Sequence, residues 1–212
     1  MDLEKIPPEP SGLPFSEQQG ESVPVQERFA AYLEDLRRCD QCRLRSGAQR
    51  LVPGEGALNA PLMLVGEAPG LEEDRQGRPF VGPSGRLFER TLSKLAVSRG
   101  QIYVTNVIKY RTPENRLPRV GEQRVCSGHL RRELDLIRPK VIGALGAIAA
   151  RALLGNAVRL KDVRGRRIEV MNTTVYPMYH PAFALRNLDR DPQILEIFEA
   201  DLRRACRDAG LP

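Results

Sequence analysis

The chain has 212 residues, 41% of them hydrophobic, and a formal net charge of +6. That is enough apolar material for one domain with a full core, and no apolar run approaches the ~18–20 residues of a membrane span, so no membrane-spanning helix is expected. The start has no basic segment followed by an apolar core, which leaves a cytoplasmic protein as the expectation, and a pI near 9.4 suits a polyanionic partner such as nucleic acid.

Residues 1–24, rich in Pro, Glu, Gln, Ser and Gly, read as a disordered tail. A replication or repair partner could dock there. A single domain is expected over 25–212. Glu27 to Arg38 places Phe29, Ala30, Leu33 and Leu36 at helical spacing. Cys39-Asp40-Gln41-Cys42 follows; a lone CxxC suits a redox pair, half a metal site or neither. Leu44 to Asn59 reads as loop, and Leu62 to Val65 as a short buried strand.

Gly66, Pro69, Gly70, Gly77, Pro79, Gly82, Pro83 and Gly85 then keep the backbone bent. Four acids, Glu67, Glu72, Glu73 and Asp74, and one aromatic, Phe80, sit among them. A helix is expected over Gly85–Leu95 and a β-branched strand over Ile102–Tyr110, with Asn106 an odd polar residue inside it. Arg111 to Arg119 is a basic, Pro-containing loop. Glu122 to Ile137 reads as a helix carrying Cys126, Val141 to Leu145 as a strand, and Gly146 to Leu154 as an Ala-rich helix. Ile168 to Tyr179 holds one or two strands and runs into His180-Pro181-Ala182; Pro192 to Ala209 closes the chain as an amphipathic helix. This alternation specifies an α/β fold, a three-layer α/β/α sandwich around a central, mainly parallel four-stranded sheet.

Right-handed crossovers bring the loops at 66–85, 106–118 and 180–187 to one edge of that sheet. The edge would hold the carboxylates, Phe80, Asn106, Asn115 and His180. An aromatic face can stack on a flat ring, an amide can pair with a base edge, and a histidine can donate to a developing oxyanion. Together they describe a pocket for a planar, polar heterocycle on a basic protein.

Gly66-Glu67-Ala68-Pro69-Gly70, Glu72-Glu73-Asp74 and Gly77-Arg78-Pro79-Phe80-Val81-Gly82 resemble the first motif of family-four uracil-DNA glycosylases. Thr105-Asn106-Val107, Asn115-Arg116-x-Pro118 and His180-Pro181-Ala182 resemble the later motifs, in the same order. The resemblance spans residues 33–205. It implies an enzyme that flips uracil from DNA and hydrolyses its glycosidic bond, starting base excision repair. It further implies that Phe80 stacks on the base, Asn106 reads it, backbone at Glu67 and Ala68 binds it, Glu67 and Asn115 handle the water, and His180 stabilises charge on the leaving base. Glu73 would shape the loop. Leu185 would be the wedge that fills the vacated stack, with Arg186 beside it on the DNA.

The resemblance also implies a [4Fe–4S] cluster on four cysteines. Cys39, Cys42 and Cys126 match three of them, while Tyr110 occupies the remaining position. Cys206, Tyr110 or an outside ligand would complete the set, or the three cysteines are packed thiols. The loop at 111–118 has no histidine, so ordinary turnover is expected, not covalent trapping of DNA. A monomer is expected. Three other readings share these residues: a non-enzymatic nucleic-acid-binding accessory protein, a glycosylase for another deaminated base, and a small-molecule nucleotide hydrolase.

Overall fold

In the computed structural model, which describes residues 23–170 and 172–212, four parallel strands run through the centre of the protein. They are β2 (Leu62–Gly66), β3 (Tyr103–Asn106), β4 (Val141–Leu145) and β6 (Thr173–Met178). Two short strands, β1 (Glu55–Gly56) and β5 (Ile168–Val170), add antiparallel edges, giving the order β1-β3-β2-β4-β6-β5. The sheet is therefore wider than the four strands expected, with its parallel centre as expected. The tail expected over 1–24 lies outside the described residues except for Val23 and Pro24.

Every residue of β2, β3, β4 and β6 is buried, the signature of strands covered on both faces. One face carries Leu62, Leu64 and Val104 against α3 (Pro83–Lys94), α7 (Pro181–Arg186) and α8 (Gln193–Asp208). The other carries Met63, Val65 and Tyr103 against α4 (Val120–Ile137) and α5 (Ala147–Leu154), with α1 (Val25–Arg38) laid on α4 and a single turn, α6 (Leu160–Val163), following α5. Each large apolar side chain taken out of water in these two layers contributes about 1.5–3 kcal/mol before entropy is counted. In α4, Cys126, Leu130, Glu133, Leu134 and Ile137 are all buried, and their spacing puts them on one side of the helix. Among the described residues, no helix is long and apolar enough to cross a membrane.

Two local expectations differ from the structure. The strand expected over Ile102–Tyr110 stops at Asn106. Its partner β2 ends at Gly66 and the chain turns away at Pro69, so only Val107 N–H to Gly66 O (2.9 Å) and Ile108 N–H to Glu67 O (3.0 Å) extend the pairing. The bent segment after β2 contains a short helix, α2 (Leu71–Gln76). Glu73 reaches back to the Gly70 N–H at 3.1 Å to close its start, and Gly77 ends it with φ +72°.

Candidate active site

The register Gly66↔Asn106 sets the ends of β2 and β3 side by side at the carboxyl edge of the sheet, next to the switch point between β2 and β4 where open α/β sheets bind ligands. Gly66 is bare for want of space. A Cβ there would lie 2.3 Å from Asn106 Oδ1 and 2.6 Å from Phe80 Cζ. The amide of Asn106, 3% exposed, and the ring of Phe80, 5% exposed, thus close over the same glycine.

Phe80 sits there on a left-handed backbone, φ +55°, a rare conformation for an aromatic residue. The surroundings hold it. Arg99 donates to the carbonyls of Pro79 and Phe80, and its guanidinium pairs with Glu89 at 2.5 Å. Gly85 lets the first turn of α3 press on the Phe80 backbone, since a Cβ would come 2.1 Å from Phe80 O. Glu73 accepts from the N–H groups of Val81 (3.0 Å) and Gly82 (2.8 Å) as well as Gly70, which agrees with a loop-shaping role. Asp74 ties the loop to the N–H groups of Gln49 (2.9 Å) and Arg50 (3.2 Å). Glu73→Ala removes an acceptor shared by three backbone donors and is expected to lower stability by about 2–4 kcal/mol. A denaturant midpoint shifted at unchanged slope is the measurement that checks it.

His180 caps α7, and its Nδ1 accepts the Ala182 N–H at 3.1 Å. With the lone pair of Nδ1 used in this way, the neutral ring carries its proton on Nε2. The ring is kept neutral: burial, with the charge of Arg186 adding to it, pushes its pKa down to about 4. It lies 5.9 Å from the Phe80 ring, stacked at 26°. Gly146, φ +92°, passes beneath, where a Cβ would stand 3.3 Å from His180 Cβ. Glu67, half-buried after β2, has its carboxyl pKa raised by burial, with Arg151 and Arg186 opposing the rise.

Phe80, Asn106, His180 and Glu67 thus gather at one sheet edge, and Ala68 packs half-buried on the α4–α5 side. Asn115 stands on an exposed turn at φ +55°, where its Oδ1 accepts from Arg111 Nε at 2.8 Å. Leu185 is half-buried against the core, whereas Phe183 of the same helix is 37% exposed beside Tyr179. Phe183 is therefore the more exposed of these two apolar side chains, and Arg186 is exposed one turn on. Sequence reasoning passed over Arg99, which has no local pattern to mark it. It also passed over Lys109, whose charge inside the apolar run IYVTNVIKY was a signal of a buried partner.

Cys39 caps α1, Cys42 follows, and Cys126 projects from α4. Tyr110 keeps company with all three. Burial raises its phenol pKa, Arg45 opposes, and Cys39, Cys126 and Cys42 add to the rise. Burial likewise pushes the Cys126 thiol up to about 11, against a hydrogen bond that its sulfur accepts from the Lys109 backbone. Cys206 packs with Leu62, Leu64 and Phe198, in the layer on the far side of the sheet from Cys42, Tyr110 and Cys126. It cannot complete their set. Three cysteines beside a protonated phenol are not the four thiolates that a [4Fe–4S] cluster takes. Among the described residues no group of three or more His, Cys, Asp or Glu is arranged to hold a metal ion. The donors present do not fit that cluster.

A model of the uracil DNA glycosylase superfamily matches residues 53–203. The type-4 uracil-DNA glycosylase of Pyrobaculum aerophilum is 40% identical over 177 residues, covering 80% of this chain and 88% of the relative. That of Sulfurisphaera tokodaii is 38% identical, covering 81% and 80%. That of Thermotoga maritima is 38% identical, covering 81% and 90%.

Proposed function

The chain belongs to the uracil-DNA glycosylase superfamily, among the type-4 enzymes, and on that premise we propose that it flips uracil out of DNA and hydrolyses its N-glycosidic bond. Flipping is required because the bond cannot be reached inside the stack. The observation that carries the reading is the closure of Asn106 and Phe80 over Gly66, opposite a neutral His180.

The ring of Phe80 supplies a stacking face for the base. The amide of Asn106 pairs with it, Nδ2 donating to uracil O4 and Oδ1 accepting from N3–H. Cytosine presents an amino donor in place of O4, so two donors would meet and one buried polar group would go unpaired, at a cost of about 1–3 kcal/mol. As the C1′–N1 bond breaks, its electron pair leaves with the base and negative charge builds on O2. His180 Nε2–H donates to that oxygen. Being neutral, it holds its proton there and stabilises the anion by hydrogen bonding. Glu67 orients the water that attacks C1′ and takes its proton, leaving an abasic site and the uracil anion; that proton passes to solvent and the base takes one up as it departs as free uracil. Asn115, whose oxygen accepts from Arg111, keeps its amide N–H groups to position the attacking water beside Glu67. Phe183 and Arg186 face the DNA beside the pocket, the first as the apolar contact and the second as a phosphate partner.

Wild-type protein is expected to release free uracil from single- and double-stranded oligonucleotides. Asn106→Ala is expected to slow release by about 10²-fold, the order of a lost buried recognition group. Normal release from Asn106→Ala overturns the assignment of the pocket.

A further inference from the structure

Behind Asn106 lies a charged pair that the reaction itself does not use. Lys109 and Glu133 are 1% and 0% exposed and meet at 2.6 Å. All three protons of the ammonium are spent: one on Glu133 Oε2, one on Thr105 Oγ1 (2.6 Å), and one on the main-chain oxygen of Asn106 (2.8 Å). Glu133 is filled in turn. Thr105 Oγ1 donates to Oε2 at 2.8 Å, and the Gly54 N–H (3.1 Å) and Tyr103 hydroxyl (3.4 Å) donate to Oε1.

The alternation of β3 explains the layout. Tyr103 and Thr105 point to the α4 face, where Glu133 waits, while Val104 and Asn106 point to the α3 face with Phe80. Lys109 lies beyond the strand end and folds back, so one ammonium holds both the side chain of Thr105 and the carbonyl of Asn106. Its own N–H hydrogen-bonds the Cys126 sulfur, and its carbonyl accepts the Val52 N–H at 2.9 Å. Glu133 and Cys126 share the buried side of α4.

We infer that Lys109 and Glu133 are positioning residues for base recognition: the pair clamps the last peptide of β3, fixes the direction in which the Asn106 amide enters the pocket, and couples that amide to α4. A buried ion pair is weak evidence for stability, because an apolar or neutral pair of similar volume often serves as well. A pair whose ammonium grips the backbone of a recognition residue has a use beyond stability. This inference rests on the reading of Asn106 as the group that pairs with the base.

The test is a double-mutant cycle in the full-length protein. Lys109→Met/Glu133→Gln removes both charges together, so neither is left buried alone. The expected result is a folded protein whose kcat for uracil release drops ~10- to 100-fold at near-constant KM. Adding Asn106→Ala is then expected to cost only the remainder, ~1- to 10-fold, against about 10²-fold in the wild type. Thr105→Val deletes only the hydroxyl shared by the pair and is expected to reduce kcat ~3- to 10-fold. It serves if the double variant fails to fold, and it reads the same cycle with Asn106→Ala.

A second readout needs no turnover. The side-chain amide protons of Asn106, assigned by their loss in Asn106→Ala, are expected to shift or broaden in these variants while the remaining amide spectrum is kept. An unmoved Asn106 amide, or costs that multiply fully in the cycle, overturns the clamp. A shifted amide in a protein that releases no uracil supports the clamp and overturns the substrate.

Discussion

His180→Ala is expected to slow uracil release about 10²–10³-fold, the usual loss when one preorganised donor to a developing oxyanion is removed. The effect belongs in kcat, since the donor matters as charge builds on the base and far less to the bound ground state. His180→Gln offers an amide N–H at similar reach and is expected to recover part of the rate. The pH dependence follows from the same geometry. The unfolded chain protonates this histidine near pH 6.5, whereas the folded protein resists until about pH 4. Between those values the unfolded state binds more protons, so stability falls with falling pH. The contribution is complete above pH 6.5 and is lost toward pH 4. Melting temperatures of wild type and His180→Gln are expected to agree near neutrality and to separate below pH 6.5, with wild type losing more. An activity limb near pH 6.5 that vanishes in His180→Gln would show instead that the ring is charged in use.

Gly66→Ala is expected to reduce kcat/KM by at least ~100-fold while the protein stays folded. The position does not need glycine for its backbone, whose φ lies outside the left-handed region; it needs glycine for space. A Cβ would stand 2.3 Å from Asn106 Oδ1 and 2.6 Å from Phe80 Cζ, and side-chain atoms yield before backbone does. The amide and the ring would therefore be the groups displaced, and overpacking of this kind costs about 1–3 kcal/mol of stability. Gly143→Ala is the control. Its Cβ would meet Leu64 Cδ2 at 2.3 Å in the core, away from the pocket, so stability is expected to fall with little loss of activity per folded molecule. Uracil release beside melting curves distinguishes the two, and a Gly66→Ala enzyme of normal rate would remove this glycine from the site.

Much of the site was legible because its residues stand in short, ordered motifs at strand ends. Periodicity alone located β2, β4 and the buried sides of α1, α4 and α8, and alternation of strands with helices put the loops at one edge. The motif around Phe80 was readable as a bent loop, but its support was not. Arg99 and Glu73 hold it through backbone carbonyls and N–H groups, which any sequence possesses. The same limit applies to Leu185 and Phe183: both are apolar, and only the packing of α7 on the core decides which one is turned to solvent.

The cysteines divide along the same line. That Tyr110 occupies the position of a fourth cysteine follows from the residues as written. That Cys206 cannot replace it follows only from the sheet lying between them. Local pattern determined the strand and helix types, the parallel centre of the sheet and the family, because these depend on neighbours a few residues apart. The tertiary structure decided the left-handed Phe80 held by distant groups, the neutral His180, and the Lys109–Glu133 pair across 24 residues of sequence. Each of these depends on desolvation and on contacts between segments far apart in the chain, and those exist only once the layers have closed.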